Sequence, residues 1–252
     1  MRMPGQTQRG LGLVELMVAM VLSLFLVAGV ITVFVGTKES YNAQQAMAAL
    51  QENERLAASV LADTIQQAGY FPYGQTTQTN LAAFPAAGSF KTAGQVIYGT
   101  NNTIMVRYVA GPYVAGSNDA IINCNGGTNA SSQQVTYVNA FDLDMGKAEL
   151  QCAVNSGSAQ PIVSPLSSQA LNPTGGGISG WQVEYGIATQ SGNSVEQYLT
   201  ASQVTAQNAW MQVRSVVITL NFVNPLYNPN QPAGQPQTLT MTRVIGLENL
   251  QQ

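Results

Sequence analysis

The sequence predicts an α+β protein in which a long N-terminal α-helix packs on a C-terminal antiparallel β-sheet domain. Three observations carry this prediction. Leu11 to Val35 form an apolar run of 25 residues with one charge, Glu15. No proline stands between Pro4 and Pro72, and the second half of that interval carries an apolar stripe at helical spacing. Beyond it, short segments alternate apolar and polar residues between turn signals, as strands do.

The chain starts with a polar, basic stretch, Met1 to Gly10, that holds Arg2 and Arg9. The apolar run that follows is long enough to cross a bilayer, since 25 residues at about 1.5 Å each exceed a hydrocarbon core of about 30 Å. A secretory signal has a core of about 7–15 residues closed by a small-residue cleavage site, and neither trait is present. A plain membrane anchor fits the length but gives no reason for Glu15. A carboxylate in such a segment costs up to about 2.5–3.5 kcal/mol on insertion scales, which marks it as a functional candidate.

Past Gly36 the helix continues as an amphipathic segment. Met47, Leu50, Ala57, Leu61, Ile65 and Ala68 recur at spacings of three, four or seven, while Glu52, Glu54, Arg55 and Asp63 fall largely off that stripe. Gly69 and Pro72 supply the stop, so one helix is expected from about Leu11 to about Ala68.

Strands are expected around a Gly99–Asn102 turn (Val96 to Tyr98 and Thr103 to Val109) and around Met145-Gly146 (Gln134 to Leu143 and Ala148 to Val154). Further strands are expected at Gly180 to Ile187, at Ser215 to Phe222, and near the C-terminus through Leu239, Met241, Arg243 and Ile245. Val195 to Val213, rich in Ala and Gln, reads as a short helix ending near Trp210, whereas Tyr73 to Gly94 and Ser156 to Gly180 read as long loops.

Charged residues make up 8% of the chain and the net charge is -3, against about 25% charged in ordinary soluble domains. No basic cluster marks a nucleic-acid surface. The chain has no His, so the commonest general base and metal ligand are missing. Cys124 and Cys152 lie well past the apolar run. Arg2 and Arg9 place the leader on the cytoplasmic side and the remainder outside. An even pair of Cys in an exported domain favours a disulfide over a metal site or two buried thiols, and that loop closure is worth about 3–4 kcal/mol.

Gly10-Leu11-Gly12-Leu13-Val14-Glu15 resembles the signal of type IV prepilins: a basic leader, Gly, then a mature chain with Glu at its fifth position. Gln51-Glu52-Asn53-Glu54-Arg55-Leu56-Ala57, with Leu61, Ile65 and Ala68-Gly69-Tyr70, resembles the stem of the PilW family of minor pilins. Tyr198-Leu199-Thr200-Ala201 with Val204, Trp210 and Val213 resembles that family's C-terminal block, and Cys124 and Cys152 match its two spaced cysteines. Leu11 stands where many pilins have Phe, and Thr32 where major pilins often have Pro, which argues for a minor subunit.

The resemblance implies cleavage after Gly10 by a prepilin peptidase, N-methylation of Leu11, and assembly through Glu15. It implies a leader at 1–10, a transmembrane half of the stem at 11–35, an amphipathic half at 36–70 and a β-rich head at 71–252. The expected partners are other minor pilins, the major pilin, the peptidase and an inner-membrane assembly platform. The chain would sit in the inner membrane with its head in the periplasm, then in the fibre at the cell surface. The residues agree with the role of Glu15. Lys38, the nearest mature cation, is 23 residues on, about 35 Å along a helix, whereas cleavage creates an amine at Leu11.

Other candidate chemistry reads as structural. Asp142 and Asp144 would share a strand face, but they flank the Gly146 turn and read as solvated. Gly175-Gly176-Gly177 lacks the Lys-Ser/Thr of a phosphate loop, and Trp181 and Trp210 read as packing. No cofactor, metal site or catalytic residue is expected, and the protein is not expected to be an enzyme. Other readings are a J-type pseudopilin of type II secretion, an adhesin or DNA-uptake subunit using the long loops, and an anchored enzyme or sensor, the last disfavoured by the lack of His.

Overall fold

A computed structural model describes residues 12–72, 79–112, 121–166, 174–188, 194–228, 230 and 235–250. The chain divides into two compact units, Met1–Gln45 and Ala46–Gln252. One helix, α1 (Leu13–Gln66), supplies the described part of the first unit and continues into the second. Helix-forming residues and the absence of Pro allow its length.

In the first unit, residues 12–42 are exposed on every side. In the second, the stripe appears as expected: Leu50, Ala57, Leu61 and Ile65 are buried, together with Ala46 and Thr64. Asn53 falls on the same face, and its Nδ2 donates to the carbonyls of Ser164 (3.2 Å) and Gly176 (3.0 Å). The helix ends where Gly69 adopts a φ of 80°, a left-handed conformation that suits Gly. Its N–H is then handed to the carbonyl of Arg107, 3.0 Å away, which ties the helix end to the sheet.

Where the sequence suggests one sheet, the structure has two, both antiparallel. The first runs β1 (Ile97–Gly99), β2 (Thr103–Ala110), β3 (Val135–Asp144), β4 (Glu149–Val154) and β5 (Gln160–Val163) in chain order. The second has the order β7-β6-β8-β9, from β6 (Ile178–Ile187), β7 (Gln197–Thr200), β8 (Val213–Val223) and β9 (Thr238–Gly246). Val216, Ile218, Leu220 and Phe222 all face inward, as their alternation requires. The helix stripe and the inner faces of both sheets share one hydrophobic core. A separate small cluster of Tyr108, Ala110 and Tyr137 lies under the segment that follows β2.

Three segments differ from expectation. Val195 to Val213 splits into β7, the short helix α3 (Ala201–Ala206) and a 3-10 turn at Trp210–Gln212. Pairing of Tyr198 and Leu199 with β6 overrides the local composition, and Gln203 starts α3 by accepting the Thr200 N–H at 2.9 Å. The expected loops also contain structure, α2 (Asn80–Ala83) and β5. In the β1–β2 hairpin, Gly99 is required by contact: a Cβ there would overlap the Tyr185 hydroxyl.

Leu61→Ala in the full chain, held in detergent, is expected to lower the unfolding free energy by about 2–5 kcal/mol. Leu56→Ala, at a position 39% exposed, is expected to change it by no more than about 0.5 kcal/mol. Urea midpoints of the two variants measure the difference.

Burial raises the phenols of Tyr108 and Tyr185 above their ordinary value of 10. The folded chain therefore keeps protons that the unfolded chain releases above about pH 10. The stability that these protons represent is complete below that pH and is lost as pH rises beyond it. The urea midpoint is expected to fall between about pH 9 and 11, and Tyr185→Phe is expected to flatten that fall.

Candidate assembly site

Glu15 lies in the first turn of α1, which opens with Glu15 N–H and Leu16 N–H donating to the Gly12 carbonyl at 3.0 and 3.2 Å. All of its described neighbours to residue 42 are exposed. The hydroxyls of the apolar stretch are internally satisfied: Ser23 donates to the Met20 carbonyl (2.8 Å), Thr32 to Ala28 (2.9 Å) and Thr37 to Val33 (2.8 Å). Such a surface asks nothing polar of an apolar solvent. Glu15 is different, since no donor among the described residues reaches its carboxylate. The described residues hold one helix long and apolar enough to cross a membrane, and it is α1. Gly10 and Leu11, the expected cleavage and methylation positions, lie outside the described residues.

In the second unit, Cys124 and Cys152 form a disulfide with a Cα separation of 6.3 Å. It joins the segment after β2 to the middle of β4, opposite Phe141 of β3. Asn139 of β3, fully buried, accepts the Cys124 N–H at 2.9 Å, and the Tyr108 hydroxyl donates to the Ile122 carbonyl at 2.6 Å. Asn129 donates to the carbonyls of Gly111 and Gln133, each at 2.7 Å. Amide and hydroxyl groups thus fasten the described residues between β2 and β3.

The remaining candidates have structural places. Asp144 accepts the N–H groups of Gly146 and Lys147 (3.0 and 3.1 Å) and pairs with Lys147 at 3.3 Å, so it closes a turn. Asp142 is exposed and meets Thr103 Oγ1 at 3.4 Å. The described residues contain no cluster of three potential metal ligands. The Gly176 and Gly177 N–H groups bond backbone carbonyls, Val223 and Thr174, rather than standing free for a phosphate. Trp210 is buried beside Tyr185 and Tyr98, with ring centroids 4.9 and 5.1 Å away, and Trp181 packs against the same core.

Two residues escaped sequence reading. Asn53 could have been found, because it sits on the apolar stripe between Leu50 and Ala57. Arg107 is 3% exposed in an otherwise apolar strand. Its guanidinium donates to the carbonyls of Gln95 (2.7 Å), Pro85 (2.7 Å) and Phe84 (3.1 Å) and lies 4.4 Å from the centre of the Phe90 ring. Burial pushes it down to about 10 from 12.5. Its role is to hold the segment before β1 on the sheet.

Residues 144–245 match the family described as Type IV Pilus-assembly protein W, and residues 5–31 match the Prokaryotic N-terminal methylation motif. The first match spans β4 to β9, including Cys152 and the whole second sheet; the second includes Gly10, Leu11 and Glu15. Among solved structures, a type IV-like pilin from Thermus thermophilus is similar at 14% identity and a TM-score of 0.37, over 80% of this chain and 98% of that one. No curated protein matches the chain.

Alkylation of the exported protein without prior reduction is expected to label neither Cys124 nor Cys152. Cys152→Ala is expected to lower head stability by about 2–5 kcal/mol. Peptide mass spectrometry and urea unfolding measure the two outcomes.

Proposed function

We propose that this chain is a type IV pilin-like protein of the PilW family, a minor pilin that takes part in type IV pilus biogenesis and primes the fibre near its tip. The observation that carries the reading is α1 from residue 13 to 35: a helix exposed and apolar on every side, with a single carboxylate at Glu15 that finds no partner among the described residues. The matches at 144–245 and 5–31 support this reading, on which the subunit associates with other pilus components and is anchored in a membrane by its N-terminal helix.

On this reading a prepilin peptidase removes residues 1–10 after Gly10 and methylates the amine of Leu11. Residues 11–35 hold the subunit in the inner membrane, 36–70 complete the stem, and 71–252 form the head on the periplasmic side, where an oxidised Cys124–Cys152 pair is chemically at home. The assembly platform then moves the helix from lipid into a bundle of equally apolar stems. Glu15 pairs there with the Leu11 amine of a neighbouring subunit, which turns a costly lone charge into a tolerable pair and sets the register. A minor, priming role is supported by the large head and by the resemblance of its blocks to minor pilins. The first stems to leave the bilayer have no bundle to join, and a preassembled set of different subunits lowers that barrier. The role is structural, with no chemistry of its own.

The test compares wild type and Glu15→Ala in a piliated strain, with mass spectrometry of the N-terminal peptide and quantitative proteomics of sheared fibres. Both proteins are expected to begin at methylated Leu11 and to insert in the membrane. The variant is expected in fibres at about a tenth of the wild-type level or less, which corresponds to about 1.4 kcal/mol of lost pairing. Wild-type incorporation of the variant overturns the role of Glu15, an intact Met1 start overturns the processing, and parity of this chain with the main pilin overturns the minor role.

A further inference from the structure

The edges of the two sheets are not alike. The edge strands β1, β5 and β7 are three, four and four residues long, and β5 carries Pro161. Short edge strands and prolines are ordinary means of keeping an edge from pairing with another chain. The remaining edge strand, β9, runs for nine residues without Pro or Lys. Its exposure is that of an open edge: Thr240, Thr242, Arg243 and Gly246 are exposed, and Val244 is 60% exposed.

Bonding within the sheet fixes which backbone groups are left over. The Leu247 N–H donates to the Arg214 carbonyl at 2.8 Å and the Asn224 N–H to the Gln237 carbonyl at 3.0 Å, which brackets the β8–β9 ladder. Bonded and non-bonded pairs alternate in an antiparallel ladder. Leu239, Met241, Arg243 and Ile245 therefore exchange bonds with β8, and the N–H and C=O of Thr238, Thr240, Thr242, Val244 and Gly246 point away from it. No backbone partner among the described residues meets those outward groups. They recur about every 6.8 Å, and the complement of such a row is the backbone of another extended chain. The side chains narrow the choice. Arg243 is the single charge of β9, and the ion pairs among the described residues, Arg55–Glu52 and Lys147–Asp144, leave it without a carboxylate. Antiparallel self-pairing over the whole strand would set Thr242 opposite Thr242 of a second copy, with the two Arg243 side chains diagonal neighbours on one face. Like charges so placed oppose a dimer, whereas a strand that brings an acid there is favoured.

We propose that the free edge of β9 binds an extended segment of a different polypeptide, which joins the four-stranded sheet as a fifth, antiparallel strand and sets an Asp or Glu against Arg243. The backbone of that segment bonds the outward groups from Thr238 to Gly246. The surface lies in the second compact unit and does not depend on the function proposed above.

The test uses the full 15N-labelled chain in a non-ionic detergent and a capped heptapeptide of alternating Thr and Val with Glu in the central position. Amide hydrogen exchange is followed residue by residue. In the free chain the amides of Thr240, Thr242 and Val244 are expected to exchange at least about tenfold faster than those of Met241 and Arg243. Peptide at ten times its dissociation constant is expected to slow the three fast amides by about tenfold. A peptide with Lys in place of Glu is expected to bind about threefold more weakly or less still, and Arg243→Glu is expected to reverse that preference. Thr242→Pro removes an outward N–H at an edge position that accommodates proline, and is expected to weaken binding at least about tenfold. The charge reversal at exposed Arg243 keeps the test decisive should the proline variant fold poorly. Slow exchange of the three amides in the free chain, no protection up to about 10 mM peptide, undiminished binding by a folded Thr242→Pro, or an unchanged preference in Arg243→Glu overturns the proposal. A concentration-dependent dimer in sedimentation that protects the same amides overturns the assignment to a different polypeptide.

Discussion

A helix can be apolar on all sides only where its surroundings are apolar on all sides, and that constraint organises this chain. From Gly12 to Asn42 every residue of the N-terminal segment is exposed. In water, leaving such a surface uncovered costs about 25 cal/mol for each Å². No part of the described chain covers it, and on the proposed reading the cover comes first from lipid and then from the helices of other subunits. From Ala46 onward the same helix changes character, because its apolar residues narrow to a stripe and a core takes them up. One continuous element thus carries two different demands, and the boundary between them coincides with the start of the second compact unit at Ala46.

The head meets its own demands with little charge. At 8% charged residues the whole chain has few ion pairs to use, and the two among the described residues lie at the surface, where such pairs contribute little. Neutral side chains hold the irregular segments instead. Asn53 bonds the stem to two loop carbonyls, Asn129 and Asn139 fix the segment around Cys124, and Gln95 closes the approach to β1. Arg107 is the exception that fits the pattern, since its buried cation is spread over three backbone carbonyls and an aromatic face rather than paired with an acid.

What was legible in the sequence followed the strength of its periodicity. The stem helix, its stripe and its stop at Gly69 could be read because dozens of residues repeat one pattern. β8 could be read because Val216 to Phe222 alternate without interruption. The split into two sheets could not, because pairing is a long-range choice: β6 joins β8, from Ile187 with Val213 to Ile178 with Phe222. β7 was hidden for a local reason, its Tyr198-Leu199-Thr200 being ambiguous beside an Ala- and Gln-rich neighbour. Glu15 was legible as an anomaly of composition. Arg107 was not, because what distinguishes it is the geometry of its hydrogen bonds to three backbone carbonyls.

On the proposed reading, the contrast between Glu15 and the hydroxyls around it is what gives so featureless a helix a register. Ser23, Thr32 and Thr37 donate to their own backbone and so offer no proton to a neighbour. The Leu, Val, Ile and Phe surface packs against similar surfaces at many relative heights, because dispersion changes little when one apolar helix slides a turn past another. A carboxylate in that setting behaves differently. Its interaction with an amine falls steeply with distance in a low dielectric, and leaving it unpaired is costly, so only one height satisfies it. On that reading, a surface with no other charge and with its hydroxyl protons already used gives a single charge that authority: the fewer the alternatives, the more completely one pair decides the arrangement.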